Sequence, residues 1–140
     1  DGERILHDEP PVGCIAGGAM NSSGPSVGVT TPYGPAEQEI MAEALHNSGV
    51  APLEVDCVEA HCSGGCLADA IEVGSIMRVH RTEGNGEALV LAAVKSSMGH
   101  QMECGGLAAL AKAFLSAQRS LVLPNLHLRA ANPHISTCDL

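Results

Sequence analysis

Aromatic side chains are almost missing from this sequence, which has one Tyr, one Phe and no Trp in 140 residues. Without rings, a core must be assembled from Ala, Val, Leu, Ile and Met, which pack closely but bury less area apiece. Sixteen glycines thin it further. A chain built this way is expected to be marginal by itself and to lean on a partner surface. Cationic side chains are scarce as well. Seven Lys and Arg against 16 Asp and Glu give a formal charge of −9, and an acidic surface repels phosphate backbones, which argues against a nucleic-acid partner. No apolar run approaches the ~20 residues of a membrane-crossing helix. The opening Asp1-Gly2-Glu3-Arg4 lacks the basic-then-apolar pattern of a secretory leader. It also lacks Met, which fits a processed chain or a piece of a longer one.

Cysteine, by contrast, is present six times, at Cys14, Cys57, Cys62, Cys66, Cys104 and Cys138. The chain is too long and too apolar to need staples, and the spacing shows no disulfide framework. Reduced thiols are expected, in a cytosolic or organellar (plastid or mitochondrial) compartment.

Along the chain, Val12–Ala19 reads as a small-residue strand that runs into the loop Asn21-Ser22-Ser23-Gly24-Pro25. A helix is expected from Ala36 to Ser48. Pro35 suits its first position, Glu37 and Glu39 favour its positive end, and Ile40, Met41, Ala44 and Leu45 share one face before Gly49 stops it. Val55–Ala60 is strand-like and ends at His61, where the Gly- and Cys-rich loop His61-Cys62-Ser63-Gly64-Gly65-Cys66 begins. Asp69 would cap a second helix, ending near His80. Arg81–Glu87 reads as a polar loop. Ala88–Val94 is continuously apolar, as in a strand buried on both faces. Lys95–Gly106 reads as a loop. Leu107, Leu110, Ala111, Phe114 and Leu115 then give the cleanest helical period in the chain. Leu121–Leu128 is a short apolar piece around Pro124. Alternating strands and helices without repeats predict one α/β domain over residues 1–140, layered around a central sheet.

Several blocks together resemble one family. Val58-Glu59-Ala60-His61 with Cys62-Ser63-Gly64-Gly65 resembles "VEAHGTGT", and Leu67, Asp69, Ile71 and Glu72 resemble the "LGDPIE" that follows. Lys95-Ser96-Ser97-Met98-Gly99-His100 resembles "KSNIGH", with Gly106, Ala108, Leu110 and Lys112 in register behind it. Asn21, Gly24, Gly28, Thr30 and Gly34-Pro35 resemble an upstream "NQDG…G.T.P.GP" stretch. Leu126-His127 and Asn132-Pro133-His134-Ile135 resemble its "LH…NP.I" ending. In collinear order these blocks are similar to the C-terminal half of a β-ketoacyl synthase, the condensing-enzyme family of fatty-acid and polyketide synthesis.

The resemblance implies a thiolase-like fold, of which this chain would be the C-terminal half, a layered α-β-α unit with a central mixed sheet. It implies decarboxylative condensation of an acyl thioester with a malonyl-type extender on an acyl carrier protein. No cofactor would be bound, the carrier's phosphopantetheine arm being the substrate carrier. His61, His100 and Lys95 stand at the family's catalytic positions. Ser63 and Gly64 stand where the arm is held, and Asp69, Glu72 and Gly99 where those loops are supported. Two imidazole N–H donors fixed at a developing enolate oxygen stabilise its charge, and losing one such donor costs on the order of 2.7–4 kcal/mol. Lys95 would add a fixed positive charge, paired with Glu72 and orienting His100.

Other readings stand beside this one. A lone His or Lys is most often solvated or hydrogen-bonded, and His7, His46, His80, His127 and His134 are read so. Cys62 beside His61 suggests an activated thiolate, and His61 with Cys62 and Cys66 suggests zinc. No further pair completes a tetrahedral set, however, and a small buried hydrophobe is the default for such cysteines. The departures from the pattern are specific. Cys62 replaces a Gly, Gly65 the second Thr of "GTGT", Ala68 and Ala70 a Gly and a Pro, and Ser97 the Asn of "KSNIGH". After His100, "LEAAAG" reads Gln101-Met102-Glu103-Cys104-Gly105-Gly106. No Cys lies in a "TACSS"-like elbow. The nucleophile is therefore expected elsewhere, on an N-terminal half or another member of a larger complex, and this chain is expected to be inactive alone. The alternative is a degenerate, non-catalytic structural subunit of a larger assembly.

Overall fold

The computed structural model describes residues 11–24, 28, 31–81 and 88–135. Six elements follow in chain order: α1 (Gly34–Ser48), β1 (Cys57–Glu59), α2 (Cys66–His80), β2 (Val90–Ala92), α3 (Lys95–Met98) and α4 (Gly105–Arg119). Single 3₁₀ turns lie at Pro52–Glu54 and Met102–Cys104. β1 and β2 pair in parallel, with Cys57 opposite Val90 and Glu59 opposite Ala92. A parallel neighbour cannot be reached by a tight turn, so the chain crosses over through α2.

α1 starts with proline in its first turn and ends where Gly49 turns left-handed at φ 69°, as the sequence implies. It packs against α2. The Ser75 hydroxyl donates to the Gly34 carbonyl at 3.3 Å, and a Cβ on Gly34 would sit 3.2 Å from that hydroxyl. Among the described residues the buried apolar ones are few: Ala60, Val73, Ile76, Ala92 and Val94, drawn from the strand ends and α2. Four of these five are Ala or Val, in keeping with a sequence that has one Tyr, one Phe and no Trp.

Some elements differ from expectation. Val12–Ala19 pairs with no strand among the described residues. It runs past the end of α1, where the Asn47 amide donates to the Gly18 carbonyl at 3.2 Å and a Cβ on Gly17 would meet the Ser48 backbone at 2.6 Å. α2 begins three residues before Asp69, with Gly65 as its N-cap. The Asp69 carboxylate instead accepts the Gly64 N–H at 3.1 Å, so it ties down the loop rather than starting the helix. β2 is shorter than its apolar run, and Val90 is exposed, so that strand is not covered on both faces. The expected loop from Lys95 holds α3 and a 3₁₀ turn. The loop 82–87 and Cys138 lie outside the described residues.

The clean period of α4 does not face inward. Leu107, Leu110 and Leu115 are exposed, Leu107 by 70%, and Leu121, Leu123, Leu126 and Leu128 are exposed after them. Contiguous apolar surface of this kind marks an interface.

His80 is buried at the end of α2, and its Nδ1 has no hydrogen-bond partner. Burial first, then the Arg81 charge, lowers its pKa from the ordinary 6.5. The unfolded chain therefore takes up the proton more readily than the folded one. Stability from this group is complete above about pH 6.5 and is lost as the pH falls below it. Urea unfolding at about pH 7.5 and about pH 5.5, either side of the ordinary His pKa, should show this loss. His80→Gln should flatten the acid limb. An unchanged limb in that variant would show that the proton goes elsewhere.

Candidate active site

The site forms where two chain turns leave the sheet, one after each strand. β1 ends at Glu59, the buried Ala60 N–H donates to the Ala92 carbonyl at 2.7 Å, and His61 follows at once. The Glu72 carboxylate on α2 then holds the turn, accepting the His61 N–H at 2.5 Å and the Cys62 N–H at 2.8 Å. Cys62 stands at φ 32°, a left-handed value that favours Gly. A Cβ at this position, where the family pattern has Gly, imposes backbone strain on the order of 1–3 kcal/mol. Gly64, at φ 95°, turns the loop back towards α2.

The second turn starts at β2. Lys95 opens α3, which ends after one turn at Gly99. Gly99 has φ 74° and ψ 179°, and its N–H donates to the Lys95 carbonyl at 2.9 Å. A residue with a Cβ would be strained there, so Gly99 is what lets the chain reverse and present His100. Ser96 and Asn125 brace the turn from behind. The Ser96 hydroxyl donates to the Ala93 carbonyl at 2.8 Å and accepts the Leu126 N–H at 3.2 Å. The Asn125 side chain accepts the Ala93 N–H at 2.8 Å and donates to the Leu91 carbonyl at 3.1 Å.

Across these turns the imidazoles of His61 and His100 meet edge to face, with centroids 5.5 Å apart and planes at 86°. The Lys95 ammonium donates to the His61 carbonyl at 2.6 Å and lies 3.2 Å from His61 Nδ1. An ammonium has no lone pair to offer, so Nδ1 must accept and the ring proton must sit on Nε2. His61 is thereby fixed as an N–H donor at Nε2. The sequence pairs Lys95 with Glu72 and has it orient His100. Its contacts run to His61 instead, because Glu72 is already engaged by two main-chain N–H groups. Ser63 lies at the mouth of the loop and is exposed. The Asn132 amide donates to the Cys66 carbonyl at 2.7 Å and so draws the tail onto the start of α2.

The five described cysteines are free thiols. Burial, then the neighbouring Glu72 and Asp69 carboxylates, push the Cys62 thiol up to about 12. Cys62 is therefore a poor nucleophile despite its place beside His61. With iodoacetamide at about pH 8, the exposed Cys14, Cys66 and Cys104 should alkylate while Cys62 reacts at least about a hundredfold more slowly. Peptide mass mapping would show this, and early labelling of Cys62 would contradict it. Among the described residues, no group of three or more His, Cys, Asp or Glu is gathered to hold a metal ion.

A pair of contacts that the motifs do not reveal lies just behind the site. Glu59 accepts the Val94 N–H with one oxygen and meets the Lys112 ammonium at 2.7 Å with the other. Glu59 and Lys112 both fall in the family blocks, and that was the available signal. Nothing in their spacing says that they touch.

Comparison with known proteins decides the lineage. The family model for the β-ketoacyl synthase C-terminal domain matches residues 12–129. The chain belongs to that family. It is 36% identical over 137 residues, 96% of its length, to the mycoketide-CoA synthase of Mycobacterium tuberculosis, of which it spans 3%. It is 37% identical over 136 residues, 96% of its length, to polyketide synthase GfsA of Streptomyces halstedii, of which it spans 2%. An oxazolomycin ketosynthase domain from Streptomyces albus superposes with a TM-score of 0.81 at 31% identity, covering 87% of this chain and 22% of that one. A ketosynthase from module 6 of the Bacillus subtilis bacillaene synthase gives 0.82 at 25% identity, covering 89% of this chain and 24% of that one. The chain thus has the thiolase-like fold of the condensing enzymes, with a small parallel sheet among the described residues, and spans only a small part of the curated relatives it matches. No helix among the described residues is long and apolar enough to cross a membrane.

Proposed function

We propose that this chain supplies the two-imidazole and ammonium half of a decarboxylative condensing site in a polyketide synthase. What carries the reading is the meeting of His61, His100 and Lys95, with rings 5.5 Å apart and the ammonium 3.2 Å from His61 Nδ1. A malonyl-type thioester on the phosphopantetheine arm of an acyl carrier protein would rest with its carbonyl oxygen against the two ring N–H groups. Its carboxylate carbon leaves as carbon dioxide, and the electron pair of the broken C–C bond passes to that oxygen as an enolate. The donors then stabilise a full negative charge where the ground state had a weak dipole. The enolate carbon attacks an acyl thioester held on a Cys of the N-terminal half, and the thiolate is expelled. The Ser63 hydroxyl and the open backbone at Gly64 would steady the arm.

The test joins this chain to an N-terminal ketosynthase half, acylates that half and adds a labelled malonyl carrier. Release of carbon dioxide with formation of the β-ketoacyl product is expected, and neither from this chain alone. A joined protein that takes the acyl group but never condenses would defeat the proposal. It would leave the second reading, a non-catalytic structural subunit, which the strained Cys62 and the lost "GTGT" hydroxyl favour.

A further inference from the structure

Glu59 touches none of the reacting positions proposed above, yet it joins the three segments that bear them. It is the last residue of β1, two before His61. One carboxylate oxygen accepts the N–H of Val94, the residue immediately before Lys95. The other meets Lys112 at 2.7 Å, and Lys112 belongs to α4, the helix that the chain enters just after His100. Both side chains are only 12% exposed. A charge pair so far out of water survives only if geometry and further hydrogen bonds offset its desolvation. Replacing such a pair by apolar residues often leaves stability unchanged, so its presence asks for a reason other than stability.

From this we infer that Glu59, anchored by Lys112, is a positioning residue. It locks the Val94–Lys95 turn against the end of β1, so that the Lys95 ammonium stays on His61 while α4 fixes the approach of His100. The inference rests on the condensing-site reading and deepens it. A displacement of about 1 Å in such a constellation costs on the order of a hundredfold in rate.

The test uses the joined ketosynthase with Glu59→Leu and Lys112→Met together, which leaves no unpaired charge. At a thermal midpoint close to the parent's, kcat for condensation should fall about 10- to 100-fold, with KM for the malonyl carrier little changed. Glu59→Gln with Lys112→Met restores an acceptor for the Val94 N–H and should recover part of the lost kcat. Parental kcat in the folded Leu/Met variant would overturn the inference, as would a loss expressed in KM alone. Should the Leu/Met variant fail to fold, the Gln/Met variant carries the test, and it too must fall measurably below the parent in kcat. His61→Ala in the same protein separates the two levels. If that variant condenses normally, the site reading itself fails. If it is inactive while the Leu/Met variant matches the parent, only the role of Glu59 fails.

Discussion

Removing either imidazole from the joined ketosynthase, as His61→Ala or His100→Ala, is expected to slow condensation by about 100- to 1,000-fold. The size follows from what each ring does. In the proposed site each ring donates one N–H to the enolate oxygen, and the two rings lie with centroids 5.5 Å apart. A single remaining donor would leave the enolate charge with only half of its proposed stabilisation. The double variant should lose little beyond the worse single one, because groups acting as a unit are not additive. His61→Asn retains an N–H donor and should keep more of the rate than His61→Ala. Labelled carbon dioxide released in a single turnover measures the step directly. Near-parental release from both alanine variants would remove the imidazoles from the mechanism.

The second large effect concerns stability. The chain alone should unfold at low urea and bind a hydrophobic dye. Joined to an N-terminal ketosynthase half, it should gain several kcal/mol and lose the dye. Among the described residues five apolar side chains are buried, four of them Ala or Val, whereas seven leucines of α4 and the segment after it are exposed. Those leucines are between 44% and 70% exposed, so covering half of the exposed surface contributes on the order of 3–6 kcal/mol, at about 1.5–3 kcal/mol for a fully buried leucine. Equal urea midpoints for the lone and the joined chain would show that the leucine surface meets nothing there.

Much of this was legible in the amino-acid order, for identifiable reasons. Pro35 and Gly49 bracket α1 because their backbone preferences are local. Gly99 announces a turn on the same grounds. The collinear blocks bring His61, Lys95 and His100 to attention together, although no periodicity in the chain could do so. What was hidden is long-range. Glu72 looks like a partner for Lys95 by charge, but two main-chain N–H groups at the β1 exit claim it first. Asp69 looks like a helix cap by type, yet Gly65 takes that place. Val12–Ala19 has strand composition, but composition does not supply a neighbouring strand. The periodic leucines of α4 mark a face that needs covering, without saying by what.

The bracket formed by Asn125 has one more consequence. Its amide occupies the hydrogen-bonding groups at Leu91 and Ala93 that a further strand would need, while Val90 and Ala92 already bond towards β1. A side chain thus seals that border as a strand would, and without offering a border of its own. Enlargement of the sheet is directed to the flank beyond β1, where the main chain of Cys57 and Glu59 points. Any strand that extends this half must dock from that flank, and stacking of copies through β2 is barred from the outset.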